Sequence, residues 1–169
     1  MPDKKILVLN QQQIQQKIDR MAYQILEDNL DEKEIIIAGI LPRGNLVAER
    51  LKAVLDKIAP FKSTLLNIDL DKNSSSLKAN INFDVNDCTD KVIILVDDVL
   101  NSGKTLAYGM GVFLDVHLKK ISTVVLVDRN HKSFPISTDY AGLALSTVLK
   151  EHVDVILDEK GEEDAVYLR

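Results

Sequence analysis

The 169-residue chain predicts an α/β fold: an open, mostly parallel, twisted sheet with helices on both faces. Three observations carry this. The segments EIIIAGI (34–40), KVIILVD (91–97) and ISTVVLVD (121–128) are short, almost wholly apolar and rich in β-branched residues, which suits strands buried on both faces. Segments of helical period alternate with them. Hydrophobic residues make up 46% and charged residues 28%, close to a soluble globular average, which excludes disorder for most of the chain. A chain of this size can bury about 68–70% of its unfolded surface in one core, so a single domain over 1–169 is expected.

The elements follow in order. Residues 10–30 carry Ile14, Ile18, Met21, Ile25 and Leu26 at helical spacing, with Asn10 placed to cap the start. The 34–40 strand ends in a turn punctuated by Pro42 and Gly44, and 45–58 returns to helical period. Residues 63–70 read as a strand. The stretch 71–82 (DKNSSSLKANIN) holds three serines and three asparagines without an apolar pattern, which predicts a flexible loop. The strand at 91–97 leads into a turn at 98–104 and a helix from Lys104 to His117. The 121–128 strand is followed by a loop with Asn130, His131 and Pro135. Strand-like pieces near 139–145, 153–157 and 165–168 close the chain.

The net charge is −5, which is a poor starting point for coating nucleic acid, where cations supply most of the affinity. Cys88 is the one cysteine, so no intrachain disulfide can form. The apolar stretch near the start, Ile6 to Leu9, is shorter than a secretory core of roughly 7–15 residues. No apolar run approaches the ~20 residues of a membrane helix. A soluble, cytoplasmic protein without a membrane partner is the expectation.

In parallel α/β sheets ligands bind beyond the carboxyl ends of the strands. That places the turns at 40–44, 97–105 and 128–131 on one rim. The most informative segment is VIILVDDVLNSGKT, 92–105. An apolar strand delivers two adjacent carboxylates, Asp97 and Asp98, to the sheet edge. The small turn Asn101-Ser102-Gly103 then opens a helix at Lys104-Thr105. Such a turn can offer several backbone N–H groups to one anion, and the helix dipole adds positive potential. The Ser102 and Thr105 hydroxyls can donate further hydrogen bonds. The carboxylates suit sugar hydroxyls or a Mg²⁺ shell, since both call for oxygen acceptors. A ligand carrying phosphate, ribose and metal satisfies the whole set. Gly103-Lys104-Thr105 does not end a Walker A loop, because the first glycine of that motif falls on Asp98.

This segment resembles the signature of the type I phosphoribosyltransferases, in which a strand, an acidic pair and a phosphate turn bind 5-phosphoribosyl 1-diphosphate (PRPP). Residues 36–51 (IIAGILPRGNLVAERL) and 125–142 (VLVDRNHKSFPISTDYAG) resemble segments of one branch, the pyrimidine-operon regulators that double as uracil phosphoribosyltransferases. The similarity covers nearly the whole chain. It implies a small hood, the 71–82 loop as a lid, and a homodimer. It also implies roles. Asn101, Ser102, Gly103, Lys104 and Thr105 would hold the 5-phosphate. Asp97 and Asp98 would hold the ribose hydroxyls, directly or through Mg²⁺. Leu41, Pro42, Arg43 and Gly44 would face the pyrophosphate, Arg43 as a bidentate cation. Asp128, Arg129 and His131 would lie beside the nucleobase. The implied reaction joins a base nitrogen to the anomeric carbon of PRPP as pyrophosphate leaves, with uracil going to UMP. A purine or other-base transferase is the alternative within the enzyme class. A UMP- or PRPP-sensing RNA-binding regulator with weak or no catalysis is the alternative outside it.

The chain departs from the family pattern in places. Purine-using relatives carry an acid where this chain has Asn101, which cannot take a proton. The arginine that enters the flexible loop in uracil-using regulators is replaced by Leu70-Asp71-Lys72, leaving Lys72 or Lys78 to substitute. Leu41-Pro42 replaces a polar pair, and Pro42 brings no N–H. Where RNA-binding members place basic residues, this chain has Gln15, Gln16, Asp19, Asp28, Leu143, Val148 and Leu149. Lys17, Arg20, Lys150 and His152 are the remaining cations, so RNA is a disfavoured partner.

Overall fold

A computed structural model describes residues 4–71, 79–148 and 151–169. Six strands form the main sheet: β2 (Glu34–Ile40), β3 (Lys62–Leu70), β4 (Ala79–Ile81), β5 (Val92–Leu100), β6 (Lys120–Asp128) and β7 (Tyr140–Ala144). Their order is β4-β3-β2-β5-β6-β7. Every pairing is parallel except that of β4 with β3. All nine residues of β5 are buried, as an apolar strand in mid-sheet requires.

Helices cover both faces. On one side lie α1 (Gln11–Asp28) and α2 (Arg43–Ile58), which bury Ile14, Ile18, Met21 and Ile25 of α1 and Val47, Leu51 and Leu55 of α2 against Ile35, Ile37, Ile94 and Val96. On the other side α3 (Lys104–Gly111) packs Leu106 near Ile36, Ile40, Ile93 and Leu95. Burying one such aliphatic side chain is worth about 1.5–3 kcal/mol. Asn10 caps α1 as expected: its side chain accepts from Gln13 N, and Gln13 returns the bond to Asn10 N, each at 2.9 Å.

Strand β5 runs on to Leu100, where a turn was expected from 98, because Val99 and Leu100 still pair with β6. Three other regions differ from the sequence expectation. Residues Ile6–Leu9 form a strand, β1, which joins β8 (Val153–Ile156) and β9 (Ala165–Leu168) in a second, antiparallel sheet ordered β1-β9-β8. This small sheet closes over the α1/α2 side of the core through Leu9, Val155 and Val166. Second, α3 ends at Gly111 rather than His117, and 112–116 continue as tight turns. Gly109 and Gly111 each cost a helix about 1 kcal/mol relative to alanine. Third, part of the presumed loop pairs with the sheet: Ala79–Ile81 is strand β4. Residues 72–78 of the expected lid, including Lys72 and Lys78, lie outside the described residues, as do Leu149 and Lys150.

Two polar ties fix the ends of this framework. Arg50 of α2 binds the carboxylate of Asp164 with both terminal nitrogens and donates to Asp158 O, which fastens the segment before β9 to the core. Tyr140 of β7 donates to Asp28 Oδ2 at 2.5 Å, at the end of α1. Burial, reinforced by Asp28, pushes the Tyr140 phenol up. The folded phenol therefore keeps its proton where an unfolded one loses it near pH ~10. Its contribution is complete below that pH and is lost as pH rises above it. Tyr140→Phe is expected to cost about 1 kcal/mol at neutral pH and to flatten the alkaline loss of stability, as read by urea unfolding at about pH 7 and about pH 10.5.

Candidate active site

The chain runs from β2 to β3 on one side and then crosses to β5 on the other side of β2. The order of the sheet thus reverses between β2 and β5, and crevices for ligands open at such switch points. The turns after β2, β5 and β6 reach the same edge because these strands are neighbours and parallel. The expected common rim is present.

Asp97 and Asp98 lie near the carboxyl end of β5 and are 4% and 8% exposed, so they are carboxylates fixed in place. Asp98 N donates to Asp97 Oδ1, and Val99 N donates to Asp98 Oδ1, each at 2.8 Å. Across the crevice, Arg43 Nε donates to Asp98 Oδ2 at 2.8 Å. Arg43 stands at the first position of α2, after a cis Leu41–Pro42 peptide. Leu41 N is held by Ile68 O. Gly44 lets α2 approach β5: a Cβ there would lie 2.7 Å from Val96 O and 2.8 Å from Asp97 Cα.

The 101–105 turn, with Asp97, lines a small recess. Gly103 has φ +88°, a left-handed conformation that L side chains rarely adopt, and a Cβ would meet Ile136 Cγ2 at 2.5 Å. Lys104 N donates to the Ser102 hydroxyl at 3.2 Å, and Lys104 Nζ stands 5.8 Å from the Tyr108 ring centre. The loop after β6 buttresses this turn. Ser133 N and Phe134 N both donate to Ser102 O, at 2.9 and 3.0 Å.

The 128–131 residues reach the rim, but their side chains bond inward. Asp128 accepts from Asn130 N at 2.9 Å and from Thr138 Oγ1 at 3.2 Å. Arg129 is 8% exposed and donates to Asn101 Oδ1, Thr147 Oγ1 and Glu151 O. His131 Nε2 is bonded to Thr147 O, so that nitrogen carries a hydrogen. Thr147 is the residue the sequence did not single out. Nothing local marks it, since its partners lie 16 and 18 positions away.

Residues 7–160 match the family described as the phosphoribosyl transferase domain. The chain belongs to the phosphoribosyltransferase family. Proteins named Bifunctional protein PyrR are similar over essentially the full length. That of Bacillus subtilis is 35% identical, covering 97% of this chain and 96% of its own. That of Fusobacterium nucleatum is 32% identical, covering 96% and 97%. Among solved structures, a hypoxanthine-guanine phosphoribosyltransferase of Bacillus anthracis superposes with a TM-score of 0.72 at 23% identity, over 83% of this chain and 82% of that one. A hypoxanthine phosphoribosyltransferase of Trypanosoma cruzi gives 0.74 at 20% identity, over 96% and 95%. At these identities the solved structures speak for the fold. The chain is a PRPP-dependent phosphoribosyltransferase with a PyrR-like sequence.

Proposed function

We propose that the acceptor is a nucleobase bound at this rim, with uracil converted to UMP and pyrophosphate released. The observation that carries this reading is the Arg43–Asp98 contact, which brings the β2 turn against the acidic pair beside the 101–105 turn. Uracil is favoured by the PyrR-like sequence over nearly the whole chain and by Asn101, which cannot take a proton from a purine.

Each part of the site has a task. Backbone N–H groups of 102–105 and the start of α3 would hold the 5-phosphate. Asp97 and Asp98 would accept hydrogen bonds from the ribose hydroxyls. The Arg43 side chain is 54% exposed and that of Asp98 12%, so the arginine is the partner free to swing. On binding, Arg43 would leave Asp98 for the pyrophosphate, freeing a carboxylate oxygen for the sugar. Arg43 would then neutralise charge on the departing group as positive charge develops on the ribose. The 128–131 turn would face the base mainly through its backbone, since its side chains are bonded elsewhere.

The carboxylates of Asp97 and Asp98 are hard oxygen donors that fit Mg²⁺. Among the described residues no cluster of three or more His, Cys, Asp or Glu could cage a metal, so substrate oxygens and water would complete the shell. When bound, Mg²⁺ would offset charge on the leaving pyrophosphate.

RNA remains a disfavoured partner. Arg20, one of the four cations available for it, donates instead to Ala141 O and Gly142 O. A homodimer is the assembly expected of such a transferase, and light scattering measures it. The deciding experiment is a panel of uracil, hypoxanthine and guanine with PRPP and Mg²⁺. UMP formation is expected with uracil. Turnover of a purine alone would reassign the base, and PRPP binding with no turnover on any base would overturn the enzymatic reading.

A further inference from the structure

Arg129 makes three hydrogen bonds from a nearly buried position: Nη1 to Asn101 Oδ1 at 2.8 Å, Nε to Thr147 Oγ1 at 3.1 Å, and Nη2 to Glu151 O at 2.5 Å. These three acceptors lie on two separate segments. One is the turn after β5 and the other follows β7. A buried guanidinium with such partners bridges the segments.

The donor inventory then fixes the amide of Asn101. A guanidinium has five N–H donors and no acceptor. The atom of Asn101 that meets it must be the carbonyl oxygen. The Nδ2 hydrogens are turned away, and they have no partner among the described residues. Asn101 also lines the recess of the 101–105 turn, together with Asp97 and Lys104. An asparagine free to flip could present either an acceptor or a donor there. With its oxygen taken by Arg129, Asn101 has its Nδ2 donor left over, which suits a phosphate or ribose oxygen.

The neighbouring residues of the turn are supported from the same loop. Ser102 O receives Ser133 N and Phe134 N, and Gly103 lies against Ile136. Residues 101, 102 and 103 are thus each backed by a residue of 129–136.

We propose that Arg129 is a positioning residue for the phosphate turn: it locks the Asn101 amide with Nδ2 toward the ligand and ties that turn to Thr147 and Glu151. This rests on the placement of PRPP at the 101–105 turn proposed above. It gives Arg129 a role through Asn101 rather than through the base.

The test is a double-mutant cycle on PRPP affinity, measured by calorimetry on the full chain with Mg²⁺. It uses Arg129→Met, Asn101→Ala and the pair. If Arg129 acts through Asn101, Arg129→Met weakens PRPP binding about tenfold in the parent chain and less than about twofold in the Asn101→Ala background. Steady-state kinetics then show a raised KM for PRPP with kcat nearly unchanged, and Arg129→Lys restores part of the affinity. Equal losses in both backgrounds, or no loss in either, overturn the proposal. A raised KM for the base instead of PRPP also overturns it, returning Arg129 to the base. Should Arg129→Met not fold by circular dichroism, Arg129→Lys supplies the same cycle with the same criteria, its expected loss being smaller but confined to the parent background. Absence of PRPP binding in the parent chain would instead refute the placement of PRPP itself, so the two failures are distinct.

Discussion

Asp98→Asn is expected to weaken PRPP binding by roughly 10–100-fold and to lower kcat/KM at least as much. The carboxylate has two committed oxygens, one accepting from Val99 N and the other from Arg43 Nε. An asparagine keeps one acceptor. If its oxygen stays on Val99 N, its NH₂ faces the Arg43 Nε–H, and two donors meet. The ion pair that Arg43 would leave on binding is absent from the free variant, and the loss that counts for binding is that of the charged acceptor proposed for a ribose hydroxyl. A hydrogen bond to a charged group is worth about 1.5–3 kcal/mol, which sets the range. Calorimetry with PRPP and Mg²⁺, together with a thermal scan, separates binding from folding. Undiminished affinity in a folded variant would remove Asp98 from the site.

The place of Asp98 on the rim was legible because its signal is local. A buried strand, two acids and a small turn follow one another within fourteen residues, 92–105, and a parallel strand can deliver them only to its carboxyl end. The rim itself followed from the alternation of strands and helices. The capping box at Asn10 was equally local. What lay hidden depends on distant partners. Arg129 reads as a cation near the base, yet its acceptors lie 18 to 28 positions away in sequence and take up its side chain. Ile6–Leu9 is too short to declare itself a strand and becomes one only by pairing with Val166–Leu168 at the far end of the chain. The end of α3 was misplaced for another reason. Phe113 continues the apolar pattern past the helix and is buried, so periodicity persisted where the backbone had already turned.

The other large effect is expected at Gly44, where α2 packs directly on β5 beside the acidic pair. Gly44→Ala would place a methyl 2.7 Å from Val96 O, 2.8 Å from Asp97 Cα and 3.1 Å from Asp97 Oδ1. Two of these are backbone atoms of β5, the most buried strand, so the strand cannot yield. The first turn of α2 must move instead, taking Arg43 away from Asp98. Overpacking of this kind costs about 1–3 kcal/mol of stability. A displacement of about 1 Å between groups that act on one substrate can cost about 100-fold in rate, so kcat/KM should fall by that order while the fold survives. Gly111→Ala is the control: nothing lies within 4 Å of a Cβ there, and it ends a helix. Its melting temperature should hold or rise slightly, with activity unchanged. Full activity in Gly44→Ala would mean that the distance from Arg43 to the acidic pair is not what the rate depends on. A loss confined to Gly44→Ala would tie the rate to the close approach of α2 and β5 at this glycine.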